Sequence, residues 1–130
     1  MTNDDHGRSW PDLLARAFAV LRGAVLLLYA LFLVVAPEKV MPGSSGHPAR
    51  LLALMLVSRT ALFGLAFVVL AIRGKRAALG WVLFADAALQ LFDTGMALAT
   101  AKGALASLPL AIGALDFWAG RVLLRSARRS

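Results

Sequence analysis

The sequence is 130 residues long, with 60% of its residues hydrophobic, only 16% charged, and 14 Lys plus Arg set against 7 Asp plus Glu. Soluble domains are about half apolar and about a quarter charged, so this composition speaks against an ordinary water-soluble globule. It speaks equally against disorder, because an unfolded chain could not leave so much apolar surface in water.

The first apolar block runs from about Leu13 to Ala36. Ahead of it, Ser9-Trp10-Pro11-Asp12 reads as an N-cap, a proline tolerated in the first turn, and an acid near the positive end of a helix. Val34-Val35-Ala36 loosely fits the small-residue rule for signal cleavage, but the stretch is long for a signal peptide and Pro37 directly follows it. Pro37, Pro42, Gly43, Ser44, Ser45, Gly46 and Pro48 form the longest expected loop. The second block is Leu51 to Ile72, and Arg73-Gly74-Lys75-Arg76 is a tight basic turn after it. The third block covers about Ala77 to Ala101, Lys102-Gly103 is a short break, and the fourth block covers about Leu105 to Leu124, with Pro109 in its first turn.

Each block is close to the ~20 residues that cross ~30 Å of hydrocarbon at ~1.5 Å per residue. In lipid the backbone must satisfy its own hydrogen bonds, so each block is expected to be a helix. The expected fold is all-α: an integral membrane four-helix bundle in one domain over residues 1–130.

Orientation follows from the basic residues. Arg8, Arg16, Arg73, Lys75, Arg76, Arg121, Arg125, Arg128 and Arg129 fall at the N-terminus, the second connection and the C-terminus, whereas Lys39, Arg50 and Lys102 fall on the opposite side. Both termini are therefore expected to be cytoplasmic, with Trp10, Trp81 and Trp118 near that same interface. The net charge of +7 then needs no nucleic acid as partner, since anionic headgroups of the lipid bilayer suit it. The strong bias also argues against insertion in both orientations, as in small multidrug transporters.

With the flanking charges set aside, Arg22, Arg59, Asp86, Asp93 and Asp116 remain inside the helices, with Gln90 beside them. A charge at the bilayer centre costs ~2.5–3.5 kcal/mol even on the gentlest scale, so such groups face the bundle interior and pair. Asp86, Gln90 and Asp93 share one face of the third helix. Arg59 lies eight residues beyond Leu51, and Asp93 eight before Ala101, so the two are expected at similar depth. Arg22, Asp86 and Asp116 are similarly level on the cytoplasmic side. Two polar layers are expected: Arg59–Asp93 outward, Arg22–Asp86–Asp116 inward.

Such ion pairs can simply fix the register of featureless Leu and Ala helices. Their number also makes them functional candidates, with Arg59, Asp93, Asp86 and Asp116 catalytic and Gln90 and Arg22 binding a substrate. One carboxyl acting as acid and another as base would suit water addition to a strained ether, or a proton relay. No Ser-His-Asp set, phosphate loop or zinc-protease motif occurs. The absence of cysteine excludes disulfides and thiolate chemistry, and His6 and His47 are too few for a metal site, so neither metal nor cofactor is expected. Ser58 reads as a helix-packing hydroxyl, and Gly64, Gly113 and Gly120 as close helix contacts.

From Ser58 onward, SRTALFGLAFVVLAIRGKRAALGWVLFADAALQLFD resembles the family of small four-helix membrane proteins known as domain of unknown function 4267. The shared pattern is Arg59 in the middle of the second helix, Gly64-Leu65-Ala66, the Arg73–Arg76 turn, Ala78-Leu79-Gly80 and Asp93 late in the third helix. The second and third helices match well, the fourth loosely, and the first has no distinctive motif. The resemblance implies a membrane fold, in a bacterial plasma membrane, and kinship with proteins of microbial polyketide and terpenoid pathways, some regarded as epoxide hydrolases or cyclases. Soluble limonene-type epoxide hydrolases use an Asp-Arg-Asp set, which Arg59 with Asp93, or Arg22 with Asp86 and Asp116, resembles by constellation and not by fold. Three readings stay open: a pocket for a lipophilic small molecule with acid–base chemistry, a non-catalytic scaffold or accessory subunit, and a small proton-coupled transporter acting as a homodimer.

Overall fold

The structure is a computed structural model that describes residues 10–40, 46–99 and 103–129. It contains the helices α1 (Trp10–Val35), α2 (Pro37–Val40), α3 (His47–Ile72), α4 (Arg76–Ala99) and α5 (Gly103–Ala127). All but α2 are long and apolar enough to cross a membrane, by length and composition.

The four long helices form two tight pairs, α1 with α3 and α4 with α5, joined by lighter contacts of α1 with α5 and of α3 with α4. Helices α1 and α4 are thus diagonal in the bundle, as are α3 and α5. Glycine sets the closeness of each pair. A Cβ on Gly23 would lie 2.8 Å from the Gly64 carbonyl oxygen, and one on Gly120 would lie 3.0 Å from that of Gly80. Only hydrogen at these positions lets the backbones meet, which confirms the expected contacts at Gly64 and Gly120 and adds Gly23 and Gly80 as their partners.

The α3–α4 connection is short because Gly74, at φ 66°, reverses the chain there. Its N–H donates to the Ala71 carbonyl at 3.2 Å and that of Lys75 to Leu70 at 3.0 Å, which satisfies the last carbonyls of α3. The half of the bundle next to the α3–α4 turn is densely packed around Ala15, Ala19, Phe67, Leu79, Leu83 and Leu123. Large apolar side chains such as Leu28, Phe32, Leu62, Phe92 and Leu98 instead lie exposed on the outside. Monomeric soluble proteins rarely expose so continuous an apolar surface.

Several boundaries differ from the sequence expectation. Helix α1 begins at Trp10, ahead of the apolar block from Leu13, with Pro11 in its first turn as expected, where it lacks only an N–H that would have no helical partner anyway; Ser9 lies outside the described residues. Pro37 does not open a loop but heads α2, where the Lys39 N–H donates to the Ala36 carbonyl at 3.1 Å. Pro48 lies in the first turn of α3, after an N-cap at Gly46. Pro42, Gly43, Ser44, Ser45 and Lys102 lie outside the described residues. Because α5 starts at Gly103, Pro109 falls inside the helix, in its second turn rather than its first, and removes one backbone donor there.

Candidate functional site

The site is built around one face of α4. Asp86, Gln90 and Asp93 follow one another at four and three residues, so a single helix displays two carboxylates and an amide over ~10 Å of its length. Helix α1 contributes Arg22, next to the Gly23 crossing, and α3 contributes Arg59.

At the inner level, Arg22 Nη2 donates to Asp86 Oδ2 at 3.0 Å, and Arg22 Nε lies 3.8 Å from Asp116 Oδ2. Side-chain exposure is 10% for Arg22, 5% for Asp86 and zero for Asp116, so this triad is largely buried. At the outer level, Arg59 Nη2 donates to Asp93 Oδ2 at 3.1 Å, and both side chains are more than a third open or close to it, at 34% and 42%. Both layers expected from helix depth are therefore present with the expected partners.

Arg22 Nε and both Asp116 carboxylate oxygens are buried without a hydrogen bond among the described residues. Arg22 Nε and Asp116 Oδ2 thus meet as an ion pair at 3.8 Å, a looser tie than the hydrogen bond to Asp86.

Between the two layers the four helices border a half-open cavity of about 370 Å³. Arg22 and Asp86 line its inner end, and Arg59 and Asp93 its rim, with Gln90 between them. Its sides are apolar, from Leu26 of α1, Phe63 of α3, and Leu108 and Ile112 of α5. The size falls within the ~300–1,000 Å³ of small-molecule sites, and an apolar wall carrying a few convergent polar groups is their usual make-up. Gly113 of α5 makes room for this wall, since a Cβ there would lie 3.1 Å from Gln90 Cβ.

Five of the six residues singled out from sequence thus border one hollow. The sixth, Asp116, does not reach it and sits behind Arg22. Asp86 and Asp93 are therefore the two carboxylates a molecule in the cavity can touch. Ser58 departs from its expected packing role: it is exposed, and its Oγ donates to the Met55 carbonyl of its own helix at 2.9 Å.

The structure adds residues that the sequence reading did not single out. Tyr29 and Thr60 also line the cavity, although the Thr60 hydroxyl is engaged with the Leu56 carbonyl at 2.7 Å. Asp12 is 2% exposed, accepts from Ser126 Oγ at 2.7 Å, and lies 3.4 Å from Arg76 Nε. It binds α1 to α5 and α4 and is more than a charge at a helix end. A signal was present: Asp12, Ala15, Ala19 and Gly23 recur at helical spacing, and all are buried. Among the described residues, no group of His, Asp and Glu could hold a metal ion. No protein-family model matches the sequence, and neither a curated protein nor a solved structure matches it.

Proposed function

We propose that the chain is an integral membrane protein whose bundle receives a lipophilic small molecule and holds that molecule's polar group between two ion pairs. The apolar outer surface supports the membrane reading, and the distribution of Lys and Arg supports cytoplasmic termini. The Arg59, Gly64 and Asp93 pattern supports kinship with the small four-helix family it resembles. One observation carries the pocket: the cavity between all four helices is greasy along its sides and charged at both ends.

The chemistry that suits this set is addition of water to an epoxide, or the related ring closure. Asp93, oriented by Arg59, takes a proton from water as the water oxygen bonds to a ring carbon. The carbon–oxygen bond of the ring breaks, and its electron pair stays on oxygen. Arg22, held by Asp86 with Asp116 behind it, donates hydrogen bonds to that developing oxyanion. The alkoxide then takes a proton from water and Asp93 returns its own, so one water is added and the carboxylate is restored.

Protein purified into nanodiscs and supplied with long-chain epoxides tests this reading. The expected result is diol formation that falls by about 100-fold or more in Asp93→Asn, the scale of lost general-base catalysis. Unchanged turnover in both Asp93→Asn and Asp86→Asn would remove these carboxylates from the mechanism.

A second reading, a non-catalytic membrane scaffold, is favoured by the buried triad, which joins three helices and could serve packing alone. It expects charge removal at either layer to damage folding and no activity to be lost.

A further inference from the structure

A second hollow, of about 590 Å³, lies at the opposite end of the bundle from the cavity rim. Arg16, Lys75 and Arg76 line it, and the small residues Ala77, Ala78 and Ala127 leave it open. Two of its cations are anchored from behind. Arg16 Nη2 donates to the Ala71 carbonyl at 2.8 Å, and Arg76 Nε faces Asp12, which is itself fixed by Ser126. A guanidinium has five N–H donors, so each anchor leaves several for a further acceptor. Lys75 is exposed and takes part in no ion pair among the described residues. Arg76 opens α4, whose first-turn N–H groups add to the positive field. Among the described residues, three cations thus meet with one carboxylate, Asp12, which is already engaged by Arg76 and Ser126.

An apolar groove lies further along α4. Ala78, Val82 and Ala85 lie on one face, and Trp81, Val82 and Ala85 face Leu62, Phe63 and Ala66 of α3 across a groove of about 330 Å³. From Ala78 to Trp81 the helix rises only ~4.5 Å, so the cationic hollow and the groove lie at neighbouring levels of α4, within the span of one lipid. The α3–α4 contact is one of the two lighter ones in the bundle, which is what leaves the groove unfilled.

We infer that this end of the bundle is a binding site for one anionic phospholipid of the inner leaflet. Arg16, Lys75 and Arg76 hold its phosphate, and one acyl chain lies in the groove beside Trp81. Basic hollows between membrane helices on the cytoplasmic side recognise anionic headgroups in this way. The site is separate from the cavity of Asp86 and Asp93, and it rests on the proposed membrane reading alone.

Native mass spectrometry of the full chain, released from micelles holding equal amounts of dioleoyl phosphatidylglycerol and dioleoyl phosphatidylcholine, tests it. The expected result is retention of one phosphatidylglycerol in preference to phosphatidylcholine. Lys75→Gln, at an exposed turn position, should weaken that retention about fivefold, the scale of one basic residue at a headgroup. Dihexanoyl phosphatidylglycerol should bind more than tenfold more weakly than the dioleoyl form, because it cannot fill the groove. Equal retention of the two dioleoyl lipids, or an unaltered Lys75→Gln, overturns the site. Displacement of the lipid by millimolar inorganic phosphate overturns the lipid assignment in favour of a free-anion site. A folded chain that takes up neither lipid overturns the membrane reading together with the site.

Discussion

Arg22 and Asp86 stand on diagonal helices of the bundle, yet Arg22 Nη2 and Asp86 Oδ2 are 3.0 Å apart. The guanidinium crosses the interior to reach α4, and its Nε turns to Asp116 on the adjacent α5. Three helices are therefore tied at one depth, and packing above that level is left open as the cavity. Among the described residues, helix α3 joins this polar system through the Arg59–Asp93 pair at the rim.

The two layers should respond differently to substitution. Arg22→Met leaves two buried carboxyls without their cation and should lower stability by about 3–5 kcal/mol, the range for breaking a buried pair. Adding Asp86→Leu and Asp116→Leu to Arg22→Met should restore much of the loss, since an apolar set of similar volume has no charge to desolvate. Reversible unfolding in mixed micelles reads both values. A loss under about 1 kcal/mol for Arg22→Met would show that the triad is hydrated.

At the rim, Asp93→Asn should cost at most about 1 kcal/mol, because the pair is substantially open to its surroundings. The same variant should lose epoxide turnover. Stability and activity measured on one preparation separate the enzyme from the scaffold, which expects the opposite pattern.

The α1–α3 crossing tolerates no side chain at Gly23. Gly23→Ala places a Cβ 2.8 Å from the Gly64 carbonyl oxygen, a backbone atom that cannot swing aside, and should cost about 1–3 kcal/mol. Gly95 of α4 is the internal control. A Cβ there meets nothing within 4 Å, so Gly95→Ala should be neutral or stabilise by up to about 1 kcal/mol through helix propensity. Equal thermal midpoints for the two variants would contradict the packing described.

Ser126→Ala removes the hydroxyl that holds Asp12 Oδ1, leaving a buried acceptor short of one bond. A loss of about 1–3 kcal/mol is expected. Ser107→Ala, on the exposed face of the same helix, should show a smaller loss in the same unfolding assay.

Depth along the helices was legible in the sequence, because the α-helical rise is constant and residue spacing from an apolar boundary converts directly to height. That is why Arg59 with Asp93, and Arg22 with Asp86 and Asp116, could be paired before any coordinates. Lateral arrangement was not legible. Nothing in the letters says that α1 and α4 are diagonal, and so which carboxylate of the triad faces the cavity depended on the packing at Gly23–Gly64 and Gly80–Gly120. Asp12 was read through its local position at a helix start, whereas its partners are Ser126 and Arg76, both far away in sequence. The helical segment Pro37–Val40 escaped because Pro37 was weighed as a breaker, and Pro109, expected in a first turn, falls in the second because α5 starts earlier, at Gly103.

The account depends most on a hydrated hollow between the ion pairs, and thiol labelling tests it directly. The chain has no cysteine, so single substitutions report without background. Gln90→Cys lies on the cavity wall, and Leu91→Cys, one residue on, lies on the exposed apolar outer face. Thiols react as thiolates, which need water. In bilayers, Gln90→Cys should react with a small water-soluble methanethiosulfonate at least about tenfold faster than Leu91→Cys, and a bound long-chain epoxide should slow it. Equal, slow labelling at both positions would contradict a polar cavity inside this bundle.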